Sequence, residues 1–298
     1  MNHFSKLATV MALVWLCTGA SAENAPARAD SMLLEEVIVT AQKREQLEND
    51  VGIAMDTFSG AQMDAMGFES STDLIAYSPG VSLAGDIGGQ RAIFNIRGVV
   101  QNDYADLAEA PVAVYVDGGY LASTQAQTFA LYDIDRIEIL KGPQGTLFGR
   151  NATGGLVNTI TAKPTEETEG YVEATLASFE QYRLEAAIGG ALTDGIRGRL
   201  SFMTNQQGEI LNNIYPGVDA QGIAGTPGGG EDGYNDDTVA LRGQLEFDIG
   251  DRGLLLLSGN WADTTKSEGP YQLRATTEIR NANGEPVDVI FAVDDPLQ

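Results

Sequence analysis

The chain has 298 residues, with 18 Lys and Arg against 42 Asp and Glu, a formal net charge of −24, and a length suited to about two domains. So acidic a balance lacks the basic footprint that phosphate recognition requires and argues against nucleic acid as a partner. The one cysteine (Cys17) and the one histidine (His3) both lie in a segment read below as removable. The mature chain therefore has no Cys nucleophile, no His base and no imidazole or thiolate metal ligand, and neither an enzyme nor a cofactor is expected.

Lys6 followed by the largely apolar eleven-residue stretch Leu7–Cys17 and by Ala20-Ser21-Ala22 has the charge, length and small-x-small end of an export signal cleaved after Ala22. The stretch Glu23–Asp30, short in side chains and containing proline, reads as a flexible leader. Within Leu33–Ala41, Val37-Ile38-Val39 is a run of three β-branched residues in polar surroundings. Such a segment is either the first strand of the next domain or a strand that adds to the sheet edge of another protein.

Residues 46–165 read as a compact α+β domain. Ser59 can cap a short helix (GAQMDAM) that Gly67 terminates, and Ser70, Ser71 and Asp73 can cap a second one ending before Pro79. Strands are expected over 92–97, 112–116 and 136–140, separated by glycine-dense turns. The glycine-rich run Gly142–Arg150 lacks the Gly-Lys-Ser/Thr ending of a phosphate loop. The acidic residues Glu231, Asp232, Asp236 and Asp237 match no EF-hand spacing and read as a solvated loop.

After Pro164 the texture becomes alternation. Val172, Ala174 and Leu176 interleave with Glu173 and Thr175; Leu184, Ala186 and Ile188 with Arg183 and Glu185; Leu200 and Phe202 with Arg199 and Ser201; Leu241, Leu245 and Phe247 with Arg242, Gln244 and Glu246. Period two with one apolar face fits a sandwich strand or an outer-membrane barrel strand. Charges on the other face and aromatics near strand ends (Tyr171, Phe179, Tyr182, Trp261) favour the barrel. So does the contrast between tight turns at 193–195 and 250–253 and the long loop 206–237. Leu254–Trp261 is expected to form a fifth strand, its leucine run leaving its faces unassigned.

Four segments in order, Glu35–Ala41, Phe94–Gly98, Pro111–Gly118 and Asp133–Pro164, closely resemble the signatures of TonB-dependent outer-membrane receptors. The resemblance implies an α+β plug domain filling a 22-stranded transmembrane β-barrel. It divides the chain into a signal peptide (1–22), a leader with the TonB box (23–45), the plug (46–165) and the N-terminal part of the barrel (166–298). It further implies that Glu36, Val37, Ile38, Val39 and Thr40 form the segment that pairs with TonB of the TonB–ExbB–ExbD complex. Asp86, Gln90, Arg91, Gln101, Asn102, Asp103, Tyr104 and Tyr120 then occupy substrate-facing apical positions, and Arg97, Arg136, Glu138 and Lys141 form an intra-plug charge network. The implied function is import of a scarce nutrient, a ferric siderophore first, or an oligosaccharide, cobalamin or haem, across the bacterial outer membrane, with membrane lipid around the barrel. The 133 residues after 165 hold about five strands, whereas closed barrels need at least eight. An N-terminal part of a longer receptor is therefore expected, or else a plug-like binding protein that transports nothing. A signal-transducing receptor would carry a folded domain before the TonB box, and the ten residues Glu23–Met32 leave no space for one.

Overall fold

The computed structural model describes residues 38–44, 46–84, 93–101, 109–211, 233–250, 252–267, 277–280, 283 and 286–290. The expected export signal and most of the expected leader lie outside them, as do the segments 85–92 and 102–108 that carry most of the residues expected at the apex.

The described chain opens with a small hairpin in which β1 (Ile38–Val39) pairs antiparallel with β2 (Gln46–Leu47). β3 (Met55–Ser59) leads directly into α1 (Gly60–Met66). The Ser59 hydroxyl accepts from the Gln62 backbone N–H, and the Gln62 side chain accepts from that of Ser59, a reciprocal capping box. Gly67 ends the helix at φ 71, a left-handed conformation that glycine adopts at little cost. The second expected helix is a single 3-10 turn, Asp73–Ala76. Its Asp73 carboxylate accepts from the backbone N–H groups of Glu69 and Ser70, so this acid closes the preceding loop onto the turn.

β4 (Val81–Ala84) and β5 (Ile93–Ile96) form a second hairpin. β6 (Val112–Val116), β7 (Gly119–Tyr120), β8 (Ile134–Lys141), the short α2 (Gly145–Phe148) and β9 (Gly155–Thr161) complete the N-terminal domain. Its central sheet runs β3-β8-β9-β6-β7, antiparallel except for the β6–β9 pair. Both faces are covered. Phe58, Ile137, Ile139, Val157 and Val114 pack with Met63, Leu74 and Phe94 on one side. On the other, Leu140, Leu156 and Ala113 pack with Val39, Val51 and Phe148.

A second sheet follows in chain order: β10 (Glu169–Ala177), β11 (Gln181–Thr193), β12 (Ile196–Gln207), β13 (Asp236–Ile249) and β14 (Gly253–Lys266), each antiparallel to the next. Its two faces are inverted relative to a soluble protein. Arg199, Ser201, Asn205, Thr238, Arg242, Gln244 and Glu246 are buried, whereas Leu200, Val239, Leu241, Leu245, Leu257 and Trp261 are exposed. An apolar outside with a polar inside is the pattern of a transmembrane barrel wall. Register settles the leucine run: Leu255 and Leu257 oppose Phe247 and Leu245 on the apolar face, while Leu254 and Leu256 oppose Asp248 and Glu246 on the polar one. β15 (Thr277–Arg280) and β16 (Pro286–Ile290) form a separate hairpin.

Candidate functional site

Among the described residues, two clusters of polar contacts between segments distant in sequence bear on function. The first is where the N-terminal hairpin lies on the central sheet. Val39 is fully buried beside Leu140, Leu156 and Phe148, and its neighbour Ile38 is half exposed. Thr40 then donates its backbone N–H to Glu138 Oε1 at 2.7 Å and its hydroxyl to the same oxygen at 3.1 Å. Arg136 Nε donates to that oxygen at 2.9 Å, and Arg136 Nη2 reaches Thr40 Oγ1 at 3.2 Å. Asn158 Nδ2 donates to Glu138 Oε2 at 3.4 Å. Glu138 is wholly buried, and a carboxylate so placed is tolerable only when paired and hydrogen-bonded. The threonine is thus part of what satisfies it. Glu36 and Val37 lie outside the described residues.

The second place is the knuckle Leu131-Tyr132-Asp133, held by arginines from three successive wall strands. Arg183 Nη2 donates to the Leu131 carbonyl at 2.5 Å. Arg242 Nη1 donates to the carbonyls of Tyr132 and Asp133 at 3.2 and 3.1 Å, and its guanidinium lies 4.4 Å from the Tyr132 ring centre. Arg199 takes the Asp133 carboxylate with two nitrogens, at 2.8 and 2.5 Å, a forked geometry that suits a buried ion pair. Ser201 also donates to that carboxylate, and Glu185 Oε1 accepts the Asp133 N–H at 2.8 Å. Asp133 has φ 49, so its backbone is held in a left-handed conformation by these contacts. Burial pushes the Tyr132 phenol above its ordinary range. Further along, Gln244 Nε2 donates to Thr161 Oγ1 at 2.9 Å, and Gln181 Nε2 to Glu69 Oε2 at 2.9 Å. A small polar cavity of about 140 Å³ lies between Glu69 and Asp73 on one side and Arg183, Asn205, Asp236 and Lys266 on the other. The inward-facing arginines were visible in the alternation, but nothing in the sequence marks which three backbone carbonyls and which aspartate they grip.

The family model for the TonB-dependent receptor plug domain matches residues 48–156. Over those residues the chain is thus similar to the plug domain of TonB-dependent receptors. It is 28% identical over 218 residues to the pesticin receptor of Yersinia enterocolitica, covering 72% of this chain and 31% of that protein. It is 26% identical over 228 residues to the ferripyoverdine receptor of Pseudomonas aeruginosa, covering 76% of this chain and 25% of that one. Its fold is similar to the crystal structure of the ferric yersiniabactin uptake receptor of Yersinia pestis, with a TM-score of 0.62 and 23% identity over 72% of this chain and 32% of that one. The chain thus spans about a third or less of the length of these relatives.

Within the plug, the four charged residues expected to act together fall into two groups. Arg136 and Glu138 pair under Thr40. Lys141 pairs with Asp56 at 2.5 Å and donates to the Pro79 carbonyl at 2.8 Å, while Arg97 Nη1 reaches the Lys141 carbonyl at 3.3 Å. Of the expected apical residues, Asp86, Gln90, Arg91, Asn102, Asp103 and Tyr104 lie outside the described residues. Gln101 Nε2 donates to the Glu109 carbonyl at 3.2 Å. Tyr120 accepts from Asn151 Nδ2 at 2.6 Å, with its ring 5.6 Å from that of Tyr115, in the apolar cluster that also contains Val39. Among the described residues no group of three or more His, Cys, Asp or Glu side chains is placed to hold a metal ion.

Proposed function

We propose that this chain is the plug and first barrel strands of an outer-membrane receptor that imports a ferric siderophore, driven by TonB acting on residues 36–40. The observation that carries this reading is the separation of two attachments. The segment at Val39-Thr40 is held to the plug sheet through Glu138, while the knuckle at 131–133 is held to the wall by three arginines. A pull on the first can be resisted by the second, which is what a carrier worked by a periplasmic partner requires.

The inverted polarity of β10–β14 supports the membrane location, and the named specificities of the relatives support a ferric siderophore as cargo. The partner pairs with the half-exposed Ile38 strand through backbone hydrogen bonds, a mode in which sheet edges recruit extended peptides. Division at about residue 165 into plug and barrel, and an export signal ending at Ala22, belong to the same reading.

The test is uptake of iron-55-labelled siderophores by cells carrying the full-length gene as their sole such receptor. Ile38→Pro removes a backbone donor from the pairing strand and is expected to abolish uptake while leaving surface binding of the siderophore intact. Undiminished uptake in that variant overturns the coupling assignment, and uptake of labelled cobalamin but of no siderophore overturns the cargo.

A further inference from the structure

The outer face of the wall carries a feature that neither coupling nor cargo uses. Across β11 to β14 one outward row in register is Ile188, Leu200, Gly243 and Gly259, and the next is Gly190, Gly198, Leu245 and Leu257. Half of these eight positions have no side chain. The result is a groove of about 770 Å³ floored by glycine and walled by Ile188, Leu192, Leu200, Leu245 and Leu257, a volume within the range of small-molecule sites. The floor is open at Gly243 and Gly259, where an added Cβ would meet nothing within 4 Å, and closer at Gly198, where it would meet Leu192 and Leu245. All five walls are exposed or half-exposed apolar side chains on the face away from the plug. The groove runs across the face of the sheet from β11 to the edge strand β14, so a strand added in the plane of the sheet would extend its floor rather than roof it.

We propose that this groove is a binding site for one acyl chain of a zwitterionic, amine-bearing glycerophospholipid, a proposal that rests on the outer-membrane reading above. The depth of the groove sets the leaflet. Gly198 is three residues past the tight turn at Gly195, and Leu245 and Leu257 stand four residues from Ile249 and Gly253 at the next one. At about 3.4 Å per residue the groove opens in the half of the bilayer next to the short turns, which are periplasmic in such barrels. The rim sets the headgroup. Glu167 and Asp194 are exposed at that end with Arg252 among them, and on the polar face one cation, Arg197, is shared by three acids, Glu166, Glu246 and Asp248, so the end is net acidic. This acidic rim attracts an ammonium and repels a lipid of net negative charge. Thr168, beside Gly190, places a hydroxyl at the same end of the groove.

The experiment is native mass spectrometry of the full-length receptor extracted in mild detergent from outer membranes, then exchanged into vesicles of equal phosphatidylethanolamine and phosphatidylglycerol. The wild type is expected to retain one phosphatidylethanolamine, and Gly243→Leu with Gly259→Leu, which fills open space, to lower its occupancy at least tenfold. Equal occupancy in the filled variant, or retention of phosphatidylglycerol instead, overturns the proposal. So does efficient disulfide capture of a second copy through Leu245→Cys in the native membrane. Unchanged outer-membrane fractionation of the filled variant separates failure of the groove from failure of the location: a protein absent from that fraction overturns both.

Discussion

Thr40 and Glu138, 98 residues apart in the chain, are joined by a backbone N–H donated to a carboxylate oxygen at 2.7 Å. The carboxylate is fully buried and shares that oxygen with Arg136, so the strand above it and the charge beneath it stabilise each other.

Glu138→Ala removes the single oxygen that accepts both Thr40 donors and leaves Arg136 without its buried partner. A hydrogen bond to a charged group contributes about 1.5–3 kcal/mol, so the undocked population of the Ile38–Thr40 segment is expected to rise about tenfold or more. A spin label at Ile38 of the full-length receptor reports this as a mobile spectral component, which an unchanged spectrum would exclude.

The pair Asp133–Arg199 is buried on both sides. Removing one partner leaves an uncompensated charge, at a cost of about 3–5 kcal/mol. Asp133→Ala is therefore expected to loosen the N-terminal domain from the wall and to lower the melting temperature. Asp133→Leu combined with Arg199→Met replaces the pair by apolar contact and should recover most of the lost thermal stability, a double-variant comparison that melting curves can decide.

Asp64 on α1 has its carboxyl raised above the ordinary range, first by desolvation and then by Glu185 and Glu173 of the wall. The folded state thus keeps a proton at pH values where the unfolded chain has lost it. Stability present in acid declines as pH rises through the raised value. Asp64→Asn is expected to raise the melting temperature at pH 7 and to leave it unchanged near pH 3, and an identical shift at both pH values would contradict the assignment.

Gly155 opens β9 at φ +147, and an added Cβ would stand 2.4 Å from the Leu140 carbonyl and 2.8 Å from Ile96 Cδ1. Backbone strain and overpacking each cost about 1–3 kcal/mol. Gly155→Ala should accordingly lower plug stability by several kcal/mol in urea titrations. Gly52→Ala, with nothing within 4 Å of the new atom, serves as the neutral control.

The wall was the most legible part of the chain because period-two alternation is a direct consequence of strand geometry. The capping box at Ser59 and Gln62 is equally local, and the helix it starts lies where the sequence placed it. β9 escaped notice because it is central: in Gly155–Thr161 both faces are buried, so Asn158 and Thr159 sit among Leu156 and Val157 with no alternation to read. β3 was hidden by its mixture of Asp56, Thr57 and Phe58, which only pairing with β8 makes a strand. Nor could sequence show that Lys141 turns to Asp56 and Pro79, and Arg97 to the Lys141 carbonyl, rather than toward Glu138, because those partners come from segments distant in sequence.

The three arginines that grip residues 131–133 come from β11, β12 and β13, within about 110 positions of the knuckle they hold. Closing loops of that size costs little more than closing shorter ones, since the cost grows only with the logarithm of loop length. These contacts need only the first few strands and no finished ring. The grip on the knuckle is therefore complete between residues 131 and 242, and the described strands alone suffice to seat it.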